Sequence, residues 1–439
     1  MEGGQIPPSG VRGLKVLIIT YYWPPAGGPG VQRWLKFVKY LPGYGITPIV
    51  FVPQNPTYPL IDEGLAKDVS PNLEIHQQPI LEPYSWAATF SKSSTQKISS
   101  GIIPDKKKQS ALQKLMLWVR GNLFIPDARV LWVKPSVRFL SYYIPKNNID
   151  AIITTGPPHS LHLIGMELQQ RLGVKWVADF RDPWTTIGYH KELKLSTSAE
   201  KKHKELETKV LNSADVIIVT SPTTKAEFET ITSKPIEVIT NGYDVENIGR
   251  QQLDEHFTLA HIGSFLSERN PKILWEALAE LVTENEHFRQ KFRMKLAGAV
   301  SQEILASIKN AGLENHIDLL GYLSHEQALI EQRKSQVLLM VEIDSPDTRC
   351  IIPGKLFEYM AAERPILAIG PEGADFAGIV TATNTGKFIT YQEKEKLKNT
   401  ILAYFEQYLA NDLKVHAIGL QQYSRKSLTG KLAEFLRKL

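Results

Sequence analysis

The chain has 439 residues, 43% of them hydrophobic and 22% charged, with 27 prolines spread along it and a formal net charge of +5. That length exceeds one ordinary core and predicts two domains at the usual ~100–200 residues each; the composition excludes a fibrous or disordered chain, and the charge is too small to argue for nucleic acid. The single cysteine, Cys350, excludes an intramolecular disulfide framework and a cysteine-rich metal site, and it fits a reducing, cytoplasmic compartment.

The opening MEGGQIPPSG lacks the cationic start and apolar core of a signal peptide. No apolar run reaches the ~20 residues that span a bilayer, so membrane contact is expected to be peripheral only. Short β-branched runs alternate with longer helix-like segments, the pattern of parallel sheets covered by helices. In the first half the spacing predicts strands at 15–20, 47–52, 149–155, 174–180 and 215–220.

The first of these runs into Tyr21-Tyr22-Trp23-Pro24-Pro25-Ala26-Gly27-Gly28-Pro29-Gly30-Val31-Gln32-Arg33, after which Trp34, Phe37, Val38 and Leu41 mark an amphipathic helix. Glycines such as Gly28 and Gly30 at a strand-to-helix turn let backbone N–H groups approach an anion at the positive end of a helix dipole. Equally, they serve a tight turn. The motif is neither the dinucleotide fingerprint nor a P-loop.

Between Pro83 and Pro126 the only acid is Asp105, against Lys92, Lys97, Lys106, Lys107, Lys108, Lys114 and Arg120. This basic stretch leads into Leu112, Leu115, Met116, Leu117, Trp118, Val119, Leu123 and Phe124. Residues 92–124 could lie on an anionic lipid surface, or form a solvated loop followed by a core helix; both readings stay open.

The predicted strand at 149–155 meets Gly156-Pro157-Pro158-His159-Ser160. A histidine at the C-terminal edge of a parallel strand sits where open α/β sheets bind ligands, so His159 is a candidate substrate contact, with helix capping as the plainer role. In Ala178-Asp179-Phe180-Arg181-Asp182-Pro183-Trp184 charges end an apolar strand, which is costly unless they line a site. Asp179 is expected to anchor the loop, and Arg181 and Asp182 to face a cleft.

In the second half strands are predicted at 257–263, 293–297, 316–320, 336–341 and 365–369, after a polar break near 241–255 suited to a hinge. Gly263 and Ser264 follow the first of them, and Arg269 stands before a helix where it could neutralise a diphosphate. Further on, Lys355 and Glu358 fall three apart on one helix face among apolar neighbours, which argues against an ordinary surface ion pair. The fold class expected is α/β, with two Rossmann-like doubly wound domains facing across a cleft: 1–245, 246–418, and a helical segment 419–439 packing back on the first.

Over nearly its whole length the chain resembles the retaining GT-B glycosyltransferases of family 4. The resemblance rests on Tyr-Tyr-Trp-Pro-Pro-Ala-Gly-Gly-Pro-Gly near the start, Ala-Asp-Phe-Arg-Asp-Pro-Trp at 178–184, Asn241-Gly242-Tyr243-Asp244, and Pro-Gly-Lys-Leu-Phe-Glu-Tyr-Met-Ala-Ala at 353–362. It implies a nucleotide-sugar donor as substrate and no cofactor; the basic and apolar segment Lys106–Phe124 adds the expectation of a glycan or lipid-linked acceptor in cell-surface polysaccharide biosynthesis at the inner face of the cell membrane. By resemblance, Gly28 and Gly30 face the donor phosphates and acceptor, and His159 contacts the transferred sugar. Arg269, with Lys355 as second cation, holds the pyrophosphate beside Gly263 and Ser264. Tyr322 and Leu323 receive the base, and Glu358 bonds the ribose hydroxyls. Asp182, with Arg181, holds the acceptor. The family's first glutamate falls at Cys350, and an arginine common after the donor-domain glycine is Ser264.

No Asp-x-Asp occurs in the chain, so metal-independent transfer is expected, with the leaving group stabilised by Arg269, Lys355 and helix N-termini. Two other functions compete: a nucleotide-sugar epimerase of the same fold, and a non-catalytic sugar-nucleotide binding protein, prompted by Cys350.

Overall fold

The computed structural model describes residues 13–82, 111–191, 193–244 and 249–439. These fall into two compact units, one comprising Met1–Asn241 with Arg425–Leu439, the other Gly242–Ser424.

The first unit is built on seven parallel strands: β1 (Leu14–Ile19), β2 (Ile46–Gln54), β3 (Glu74–Pro79), β4 (Ala151–Gly156), β5 (Lys175–Phe180), β6 (Val216–Val219) and β7 (Ile236–Val238), in the order β3-β2-β1-β4-β5-β6-β7. Its helices include α1 (Pro29–Tyr40), α2 (Ala111–Leu123), α3 (Val133–Lys146), α4 (Ser160–Leu172), α5 (Thr197–Ser213) and α6 (Pro222–Glu229). Successive side chains of a strand point to opposite faces. Leu17 and Ile19 therefore join one buried cluster with Trp132, Leu161 and Trp176, while Val16 and Ile18 join another with Trp34 and Leu35. Helices cover both faces, as all-parallel sheets require.

The second unit repeats the plan with six strands: β8 (Phe257–Ile262), β9 (Phe292–Ala297), β10 (Ile317–Gly321), β11 (Val337–Val341), β12 (Ile366–Gly370) and β13 (Gly386–Thr390), in the order β10-β9-β8-β11-β12-β13. Among its helices are α7 (Lys272–Glu284), α8 (Gln302–Asn310), α9 (His325–Lys334), α10 (Lys355–Ala361), α11 (Asp375–Ala382) and α12 (Lys394–Leu409). Leu259 and Leu339 belong to one cluster, and Ala260, Ile262, Leu338 and Met340 to the cluster on the other face.

After this second unit the chain returns to the first. Helix α13 (Arg425–Leu436) inserts Leu428, Leu432, Ala433 and Leu436 among Val16, Ile18 and Trp34. The expected doubly wound α/β fold is present in both units. In each sheet the strand order reverses beside the first strand, between β1 and β4 and between β8 and β11, and that reversal is where such sheets bind ligands.

Of the basic and apolar stretch, residues 83–110 lie outside the described residues. Where it continues as α2, Leu117 is 1% exposed while Trp118 and Leu123 are 43% and 65% exposed. Among the described residues no helix is long and apolar enough to cross a membrane.

Candidate functional site

In the first unit the glycine loop leaves β1 and starts α1 at Gly28, whose φ of 105° is one that L side chains rarely adopt. Asp179, fully buried, fixes this loop from below. Its carboxylate accepts from Arg33 Nη2 at 2.9 Å, Trp34 Nε1 at 2.8 Å and Thr155 Oγ1 at 2.8 Å, so α1, β4 and β5 are tied at one point. The anchor expected of Asp179 is thus observed, and a buried charge so surrounded is satisfied.

Beside it, Arg181 bridges two loops. Its Nε donates to the Gly156 carbonyl at 3.2 Å, its guanidinium to the Pro157 carbonyl, and its Cζ lies 5.9 Å from the Tyr22 ring centroid. A Cβ on Gly30 would fall 1.6 Å from Arg181 Nη1, so the absence of a side chain there makes room for the guanidinium. Asp182 is half-buried; burial pushes its carboxyl above the usual range, opposed by the charge of Arg181.

His159 is buried and lies flat on Trp184, with centroids 4.9 Å apart and an interplanar angle of 4°. Neither ring nitrogen has a hydrogen-bond partner. Burial, helped by His162, His190, Arg181 and His203, holds the imidazole well below 6.5, so it is neutral and offers a hydrogen bond, not a charge. The helix cap comes from elsewhere: Asp127 accepts from Ser160 N and Oγ at 2.9 and 2.8 Å. Asp127 was not legible as a site neighbour, since its partner is 33 residues away.

In the second unit the reversal between β8 and β11 gathers cations. Gly263, with φ 127°, turns the chain so closely that a Cβ there would lie 2.6 Å from Lys355 Nζ. Gly298, with φ 101°, packs on the backbone of Gly263 and donates its N–H to Gly321 O at 2.6 Å. Arg269 ends a 3-10 turn (Ser267–Arg269) and pairs with Glu342 at 3.1 Å, its own side chain 30% exposed and that of Glu342 1%. Burial, reinforced by the charge of Arg269, pushes the Lys355 amine down to about 8, while Glu342 and Glu358 oppose the shift. Glu358 accepts from Gln332 Nε2 at 3.3 Å.

Lys355, Gly263 and Arg269 are thus brought into one electrostatic group, with Glu358 at its edge. Ser264 is exposed in the same turn, Tyr322 stands 90% exposed after β10, and Leu323 packs partly buried on the core. Sequence reasoning missed Glu342 and His261. The signal for Glu342 was present, a carboxylate ending the apolar run Val337–Val341. Cys350 is half-buried, its Sγ 3.8 Å from the Asp347 carbonyl. Among the described residues no group of His, Cys, Asp or Glu is arranged to hold a metal ion.

Two family models match the chain: Glycosyltransferase Family 4 over residues 103–247 and Glycosyl transferases group 1 over residues 256–407. No curated protein matches it. Among solved structures, Anabaena Alr3699/HepE in complex with UDP and glucose shares 15% identity at a TM-score of 0.61, covering 97% of this chain and 100% of its own. Sucrose-phosphate synthase from Thermosynechococcus elongatus shares 15% at 0.59, covering 97% and 98%. The lipopolysaccharide outer core galactosyltransferase WaaB shares 13% at 0.57, covering 97% and 100%. At such identities the structures attest the two-sheet architecture, and the family models add the lineage. With one model matching in each unit and between them well over half of the residues, the chain belongs to the GT-B glycosyltransferases of the family 4 type.

Proposed function

We propose that the enzyme transfers a sugar from a nucleoside diphosphate sugar to a glycan or lipid-linked acceptor of cell-surface polysaccharide assembly, with retention of configuration and without a metal ion. The observation that carries this reading is the pair of cations at the reversal of the second sheet. Lys355 has lost much of its hydration and stands beside a turn with no side chain, and Arg269 keeps part of its guanidinium open. A diphosphate would replace the solvent Lys355 has lost, and both cations would stabilise the charge that grows on it as the glycosidic bond breaks. Glu358 is the proposed ribose contact, with Tyr322 and Leu323 on the base.

On the acceptor side, neutral His159 is proposed to bond a sugar hydroxyl, with Arg181 and Asp182 holding the acceptor. In a retaining transfer of this kind the acceptor hydroxyl attacks the face from which the diphosphate leaves, and its proton passes to the departing diphosphate. The complex of the Anabaena protein with UDP and glucose makes UDP the first base to test. A peripheral contact at the cytoplasmic face of the membrane through 92–124 is part of the proposal; the exposed Trp118 and Leu123 support it.

Thermal shift against UDP, GDP and ADP tests the donor site. A ligand at 100 times its Kd adds about 2.7 kcal/mol to the native state, so one base should raise Tm clearly. Arg269→Ala and Lys355→Ala should each weaken that ligand about 10–100-fold, the worth of a charge-assisted contact. An unmoved Tm with all three diphosphates would overturn the donor reading, and failure to float with anionic liposomes would remove the membrane contact.

A further inference from the structure

Beside Lys355, at the C-terminal end of strand β8, lies a histidine that the donor-site reading does not use. His261 is 1% exposed and stacked on Phe265 with centroids 4.2 Å apart. Its Nδ1 lies 3.1 Å from the carbonyl oxygen of Leu339. A carbonyl only accepts, so Nδ1 carries the ring proton and Nε2 of the neutral ring is left with its lone pair. Lys355 Nζ, which has donors only, lies 3.5 Å from that Nε2.

The groups around the pair fit this assignment. Burial and the charge of Lys355, with a smaller contribution from Arg269, hold the imidazole well below 6.5, against the nearby carbonyl oxygens of Ser264 and Leu339, which would raise it. Nε2 is also 3.5 Å from the Ser264 carbonyl, but with the proton on Nδ1 that approach sets two acceptors together and holds nothing. On the far side Nζ meets the bare turn at Gly263, and Arg269, Glu342 and Glu358 supply the remaining charges.

We infer that His261 is a positioning residue of the donor site: its Nε2 lone pair takes one of the three Lys355 donors and holds the other two across the Gly263 turn, toward the proposed diphosphate. The inference rests on the donor-site reading above. Without His261 the ammonium loses this acceptor, so its side chain gains freedom and its charged form loses a hydrogen bond.

The test is calorimetric titration of the full chain with UDP, GDP and ADP between about pH 6 and 9.5. His261→Phe keeps the ring and its stacking on Phe265 but removes both nitrogens; His261→Gln returns an acceptor near the Nε2 position. His261→Phe should weaken the bound diphosphate roughly tenfold at neutral pH and move the high-pH loss of affinity to lower pH, and His261→Gln should restore both most of the way. A merely structural histidine would lower Tm without moving that pH midpoint, so an unmoved midpoint with wild-type affinity in His261→Phe overturns the inference. Should His261→Phe fail to fold, long-range 1H–15N spectra of the wild type decide: a proton on Nδ1 supports the assignment and one on Nε2 overturns it. If Lys355→Ala loses the diphosphate while His261→Phe does not, this inference alone falls. If the wild type binds none of the three, the donor-site reading falls and takes it along.

Discussion

Two charged side chains, Asp179 buried and Lys355 half-buried, set the energetics of the two units. Asp179 and Arg33 have side-chain exposures of 0% and 1%, and breaking such a buried pair from one side costs about 3–5 kcal/mol because the other charge stays buried. Asp179→Asn should therefore destabilise the first unit by about that much in urea or thermal melts. A loss under about 1 kcal/mol would mean Arg33 finds another partner. Lys355 behaves oppositely. Its amine, pushed down to about 8 by burial, is protonated in the unfolded chain up to its usual range near 10.5. Between those values the unfolded chain binds more protons, so native stability rises with pH across that window. Below about pH 8 the wild type buries a cation that Lys355→Met lacks. That variant should thus melt about 2–4 °C higher there, with the gain shrinking toward pH 10.5, while losing the proposed diphosphate ligand. Scanning calorimetry at several pH values, with and without UDP, checks both halves.

At the scale of elements, the strands that periodicity identified are those with apolar residues on both faces. Three strands went unread. β3 reads EIHQQP and carries no fully buried residue, β7 is three residues long, and β13 reads GKFIT with only Ile389 buried throughout its length. Each lies at the edge of its sheet, where one side faces no further strand and polar residues are tolerated. The glycine turns were legible as turns. Their neighbours were not, because Gly298 comes 35 residues after the Gly263 turn it packs against, and His261 reads as one polar interruption of an apolar strand. Gly298→Ala should show how much that contact matters: its Cβ would lie 2.8 Å from the Gly263 carbonyl carbon, at a φ of 101°. A loss of about 1–3 kcal/mol is expected from the backbone conformation alone, with weaker diphosphate binding as the Gly263 turn shifts. Equilibrium melts and UDP titration of the same variant separate the two effects.

On the scale of the whole molecule, the two sheets share one order of strands, and that repetition was legible because each half carries its own alternation of strand and helix. The exchange of chain at the end was only partly so. Arg425–Leu439 belongs to the first unit, and Leu432 there is 0% exposed in the cluster with Trp34. Leu432→Ala should cost about 2–5 kcal/mol, and the loss should appear in the melting of the first unit and not the second. Domain-resolved hydrogen exchange measures it directly, and equal loss in both units would show that they melt as one.

The same helix has a consequence for synthesis. Domains emerging from the ribosome generally fold in order, N-terminal first, at about 5–20 residues per second. Here the first unit lacks Leu428, Leu432, Ala433 and Leu436, which complete one of its two clusters, until Arg425–Leu436 has been translated. Val16, Ile18 and Trp34 therefore wait without that part of their packing for roughly ten seconds or more, at that elongation rate, while the intervening unit is made. In the living cell the first unit starts to be made before the second yet is completed after it, and that interval is when chaperones have most reason to bind it.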